Sequence, residues 1–247
     1  MADNPSHSEP RDEEAQRAFL LRKLHSLSGV IPVGVFLLEH FWTNTRAMQG
    51  RTSYDRVDLG AVSFLWVVEF FGILLPLAFH ALFGLYLAFA GKVQAPSYPY
   101  KSAWIPALSR LSAMVAFAFI AYHVWEFRLA KSFYAMRSEA FYSTLVAELS
   151  STTMGIPIVA ILYLVGVAAV VFHFAAGLWG FAFSWGFTPS EQSQRRSGYA
   201  VGALGVILFL LGTQSVMYFA TGSRMYFPRS NVATKGGPVT PCPSPQP

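Results

Sequence analysis

The sequence predicts an all-α integral membrane protein, a bundle of five transmembrane helices. Three observations carry that expectation. Hydrophobic residues make up 53% of the 247 and charged residues only 13%, too apolar for a soluble domain and too rich in long apolar runs for a disordered one. From Leu149 to Ser190 there is no Asp, Glu, Lys or Arg, and an uncharged apolar run well past ~20 residues crosses a bilayer as a helix. Four more apolar stretches are separated by polar or Gly/Pro-punctuated connectors.

Taken in order, Met1–Gln16 (MADNPSHSEPRDEEAQ) is polar, lacks the apolar core of a signal peptide and is expected to be a disordered tail in which His7 carries no role. A five-helix domain is expected over residues 17–222. Helix I covers about Ala18–Thr45, and Arg46–Gly60 is a polar loop. Helix II covers Ala61–Ala90, and GKVQAPSYPY (Gly91–Tyr100) forms a turn-rich connector. Helix III covers Ser102–Ala130. Lys131–Ser150 includes a surface helix near Tyr142–Leu149. Helix IV covers Thr153–Trp185 and helix V Ser197–Thr221. Residues 223–247 form a Pro-rich, disordered tail. Trp42, Trp66, Trp104, Trp125 and Trp185 fall near helix ends, as interfacial aromatics do. Five spans put the termini on opposite sides. Lys and Arg divide evenly between the two sides and leave the orientation open.

The formal net charge of +5 is spread over loops and tails rather than gathered in a basic stripe, so nucleic acid is not expected as a partner. Cys242 is the single cysteine. That excludes an intrachain disulfide and a Cys-based zinc or iron–sulfur site.

Helices I to IV each carry one histidine inside the apolar run: His40, His80, His123 and His173. A membrane helix keeps an imidazole at that depth when it faces the bundle interior and finds a partner. Position converts to depth at ~1.5 Å per residue, and successive helices alternate in direction. His40 and His123 then form an outer pair and His80 with His173 an inner pair, each drawn from two helices. Bis-histidine haem needs two axial imidazoles from opposite sides. Gly84 and Gly177 follow His80 and His173 by four, on the same helix face, leaving room for a porphyrin. Pro76 frees the carbonyl of Gly72 and kinks helix II nearby. His25, fifteen residues below His40, is read as a propionate or quinone contact. Arg22, Lys23 and Arg110 are read as propionate-neutralising cations. Glu39 and Glu126 are candidate proton-handling acids near the outer pair, and Glu126 is alternatively an interfacial acid paired with Arg128.

The motifs RKLHSLSGVIPVGVFLLEH, LPLAFHALFGLYLAF, AYHVWEFR and VFHFAAGLWGFAFSWG resemble the two-haem cytochrome b membrane subunit of succinate:quinone oxidoreductase. This is the single-chain type of menaquinone-using succinate dehydrogenases and fumarate reductases. The resemblance spans about Arg17–Thr221. It implies two haems b, His80/His173 on the iron–sulfur side and His40/His123 distal, with menaquinone as substrate near the distal haem and Glu39 and Glu126 as candidate quinone-site acids. It also implies flavoprotein and iron–sulfur partner subunits and a place in the bacterial inner membrane with the N-terminus cytoplasmic. Succinate chemistry would belong to the partners, since this chain has no dinucleotide fingerprint or Cys cluster. Two rival readings remain: a dihaem anchor of a hydrogenase or formate dehydrogenase, and a haem-free membrane scaffold.

Overall fold

The computed structural model of the chain describes residues 9–55, 65–90, 104–129 and 140–225. The described residues are helical, with one isolated bridge between Thr153 and Ile156. Five helices are long and apolar enough to cross a membrane: Glu13–Gln49, Val67–Phe89, Trp104–Leu129, Ile158–Ser184 and Glu191–Thr221. Connector 91–100, the segment 131–139 and the tail from 226 onward lie outside the described residues.

The first span is α1 (Glu9–Val30) and α2 (Pro32–Asn44), followed by a 3-10 turn, Thr45–Gln49. The break between α1 and α2 falls at Pro32, whose ring removes a backbone donor. α1 extends back into the tail expected to be disordered. Ala15 and Gln16 are good helix formers, and Arg17 pairs with Glu13 at 3.4 Å across one turn. A short α3 (Arg51–Asp55) follows in the polar loop.

The second span is α4 (Leu65–Glu69), a π-helical turn (Phe70–Leu74) and α5 (Leu75–Ala90). The π turn sits just before Pro76, where the expected kink is taken up by a wider turn that sends the Leu75 N–H to the Phe70 carbonyl. The third span is α6 (Trp104–Val124) with a π turn at Trp125–Leu129. A surface helix, α7 (Ala140–Leu149), follows as expected.

The fourth span, α8 (Ile158–Ser184), starts later than the expected Thr153. A tight reversal holds residues 153–156, with Met154 and Gly155 at φ 54° and 79°, and Pro157 sets the helix start. The fifth, α9 (Glu191–Thr221), starts earlier than the expected Ser197. Ser190 and Ser193 cap each other's backbone N–H groups, so the helix begins in water before it meets the lipid. It ends at Gly222, left-handed at φ 69°, whose N–H bonds the Tyr218 carbonyl.

α8 lies centrally, packed against α1, α6 and α9. Close approach follows from missing side chains: a Cβ on Gly212 would lie 2.7 Å from Val167 Cγ1. The buried core joins Phe41, Tyr163, Val167, Leu208 and Phe219, while large apolar residues elsewhere face outward, Phe89 at 76% exposure. That inside-out pattern is what a lipid solvent selects. Trp42, Trp104 and Trp125 are exposed near span ends, as expected of interfacial rings.

Candidate functional site

The four span histidines meet two by two, as their depths implied. His80 of α5 and His173 of α8 have ring centroids 6.1 Å apart with planes at 68°. His40 of α2 and His123 of α6 have centroids 5.8 Å apart at 77°. Two imidazoles bonded at about 2 Å to one metal put their centroids roughly 6 Å apart. Both pairs therefore have a spacing that could accommodate one metal centre between two imidazoles. Among the described residues no three His, Cys, Asp or Glu side chains converge on a metal-sized point. Two imidazoles suffice where a porphyrin supplies four further nitrogens.

Each inner ring is oriented by backbone. His80 Nδ1 donates to the carbonyl of His25 at 2.9 Å, and His173 Nδ1 lies 3.4 Å from the carbonyl of Ser109. A proton held on Nδ1 leaves Nε2 unprotonated, with its lone pair available to a metal. The outer pair is set differently. His40 Nε2 accepts from the Asn44 amide at 3.3 Å, a bond that must open before this nitrogen can ligate. His123 Nδ1 is buried without a hydrogen-bond partner among the described residues, while Phe119 stacks on its ring at 5.8 Å.

His25 does not share the outer layer. It stacks on His80 at 4.2 Å and 5°, placing a third imidazole beside the inner pair. Two glycines make this possible. A Cβ on Gly84 would lie 2.9 Å from His25 Nε2, and one on Gly29 would lie 2.6 Å from His80 Nδ1. Gly84 thus makes room for His25, whereas no atom of the described residues lies within 4 Å of a Cβ on Gly177. The sequence offered no sign of Gly29, because its partner ring lies on another helix.

The cations and acids sort less evenly. Arg22 and Arg110 are exposed. Lys23 donates to the Ser184 carbonyl and lies over the Trp185 ring at 5.0 Å, closing the C-terminus of α8. Glu39 is exposed. Glu126 accepts from the Tyr163 hydroxyl at 3.3 Å, and Tyr122 and Glu148 lie close enough to interact with it electrostatically. Tyr163 in turn packs on His123 at 6.0 Å, so this cluster adjoins the outer pair. Arg128, offered as a partner for Glu126, instead makes a two-point ion pair with Glu69, its Nη2 at 3.0 Å from Oε2. That pair joins the second and third spans beside their two π turns.

Residues 91–212 match the family model described as the succinate dehydrogenase/fumarate reductase transmembrane subunit. The chain is also 37% identical, over 205 residues, to the succinate dehydrogenase cytochrome b558 subunit of Bacillus subtilis (strain 168). That alignment covers 82% of this chain and 98% of the relative. No solved structure gives a significant match. Four histidines paired across helices at two depths, together with these matches, lead to one assignment: the chain belongs to the succinate dehydrogenase/fumarate reductase transmembrane subunit family.

Proposed function

We propose that this chain, the membrane anchor of a succinate:quinone oxidoreductase, holds two bis-histidine haems b and passes electrons between an iron–sulfur subunit and menaquinone. The observation that carries the reading is the pairing itself: 6.1 Å for His80 with His173 and 5.8 Å for His40 with His123, each couple spanning two helices. A haem held by these histidine pairs would supply a one-electron iron couple, which suits electron transfer. Succinate oxidation or fumarate reduction belongs to a flavoprotein subunit.

The chain's own residues do the positioning. The carbonyls of His25 and Ser109 fix the inner rings, and Gly29 and Gly84 let His80 and His25 lie close. His25, Arg22 and Arg110 are the groups offered to propionates on that side. At the outer pair, Tyr163, Glu126, Glu148 and Tyr122 form an interacting polar group beside His123, with Tyr163 hydrogen-bonded to Glu126. Menaquinone reduction consumes protons as well as electrons, and this group is suited to deliver them. Exposed Glu39 is a second acid at that level. The bacterial relative and the motif resemblance support a bacterial cytoplasmic membrane with the N-terminus in the cytoplasm.

The test is a reduced-minus-oxidised visible spectrum of the purified complex, repeated on His80→Ala and His123→Ala. Two low-spin b-type bands are expected in the parent. Each variant should lose one band and keep the other. A parent without haem bands, or variants that lose neither, would overturn the reading.

A further inference from the structure

A long recess lies outside every role assigned so far. It encloses about 600 Å3. α8 forms its floor at Ala168 and Ala175, α6 forms one wall at Trp104, and α9 forms the other at Gly202 and Gly205. Its shape follows from the small residues. At Gly205 the helices touch, an added Cβ lying 3.3 Å from Ala175 Cβ, whereas at Gly202 no atom of the described residues lies within 4 Å. The lining is chiefly apolar, and Arg195 stands at one end.

The groove has the length of one leaflet. The apolar part of α9, Tyr199 to Thr221, is ~33 Å long at 1.5 Å per residue, close to the ~30 Å hydrocarbon core. Its middle falls near Phe209, the deepest α9 residue of the lining. Arg195 lies fourteen residues away, ~21 Å from the midplane and so ~6 Å outside the hydrocarbon, at the depth of phosphates. Trp104 and Tyr199, 60% and 74% exposed, flank that end as interfacial rings. Among the described residues at that end, two arginines, Arg195 and Arg196, stand against one acid, Glu191. Basic recesses between transmembrane helices take anionic lipid headgroups.

We propose that this groove holds an acyl chain of an anionic phospholipid from the leaflet on the N-terminal side, with its phosphate at Arg195. The inference rests on the membrane-spanning fold and not on the haem assignment.

The experiment places the intact complex in phosphatidylcholine nanodiscs containing a minor fraction of chain-spin-labelled phosphatidylglycerol. Labelled phosphatidylcholine serves as the comparison, and the motionally restricted fraction is read by electron paramagnetic resonance. Restricted phosphatidylglycerol is expected to exceed restricted phosphatidylcholine. Arg195→Gln should weaken its retention about fivefold, the factor one interfacial cation contributes. Gly202→Leu, which fills the groove, should abolish it, with helical content by circular dichroism unchanged in both variants. Equal restriction of the two lipids, or an Arg195→Gln variant that retains phosphatidylglycerol normally, would overturn the proposal. So would release of the label by menaquinone, or masking of the groove by a second copy of the chain, detected as a dimer that Gly202→Leu dissociates. Should Gly202→Leu fail to fold, Arg195→Gln at its exposed position decides alone.

Discussion

Replacing Gly29 by Ala tests whether close approach to His80 governs the inner site. The added methyl would lie 2.6 Å from His80 Nδ1 and closer still to Cε1. Ordinary contact begins near ~3.5 Å, so the ring must retreat by about 1 Å. It is not free to do so, because its Nδ1–H is bonded to the His25 carbonyl at 2.9 Å and His25 stacks on its face at 4.2 Å. Overpacking of this kind costs about 1–3 kcal/mol. Charged to the inner site, that is a roughly five- to 150-fold loss in haem affinity. Haem per protein and the low-spin electron paramagnetic resonance signals provide the assay. Gly29→Ala should drop from two haems toward one, with the outer signal intact. Gly166→Ala provides the opposite arm: its methyl would meet Phe119 Cδ1 at 2.7 Å, and Phe119 stacks on His123, so the outer signal should suffer instead. A Gly29→Ala complex with two haems at unchanged potentials would refute the reasoning.

Three further outcomes are expected. Burial, then a hydrogen bond to Glu126, then repulsion by it, raises the Glu148 carboxyl to about 7. The folded value lies above the ordinary 4.5, so the stability tied to protonated Glu148 is full below that pH and is lost as pH rises through about 7. Infrared titration should find a carboxyl band disappearing there, and Glu148→Gln should remove it. Glu69→Gln breaks the pair with Arg128, whose side chains are about one-third exposed. Between the limits for exposed and buried pairs, the loss is about 1 kcal/mol. A Glu69→Gln/Arg128→Met cycle by thermal denaturation should recover part of it, and strictly additive effects would count against coupling. Ser190→Ala removes a reciprocal cap at the start of α9 and should cost about 1 kcal/mol by the same measurement.

The depth of each histidine was legible because rise per residue is fixed and the helices alternate. Hence His40/His123 and His80/His173 paired as read. Rotation about each helix axis was not legible. In spans apolar on all sides, no hydrophobic stripe marks the inward face. Hence the spacing excludes His25 from the outer layer but carries no sign that it stacks on His80 or that Gly29 lies against that ring. The start of α9 was misjudged for another reason. EQSQRR lacks apolar residues, yet a helix extending into water needs only a cap and good formers, and Ser190 with Ser193 supplies the cap. Arg128 was assigned to the nearest acid in sequence, while the fold offered Glu69 from a neighbouring span.

The separation of the two layers bears on energy conversion. Along α1 and α2, His25 at the inner pair and His40 at the outer are fifteen residues apart, ~22 Å. Along α8, His173 and Tyr163, which packs on His123, are ten apart, ~15 Å. An electron passed between the layers thus crosses half to nearly three-quarters of a ~30 Å core. At ~2.3 kcal/mol per charge per 100 mV for the full thickness, two electrons exchange about 2.3–3.4 kcal/mol per 100 mV. That shifts the equilibrium by roughly 50- to 300-fold per 100 mV, enough for the membrane potential to drive menaquinone reduction by succinate or to be generated by the reverse reaction. In sealed vesicles an uncoupler should slow succinate:menaquinone turnover, and quinol:fumarate turnover should build a potential. If turnover ignores the uncoupler and no potential develops, the electrons do not cross the field between these two histidine pairs.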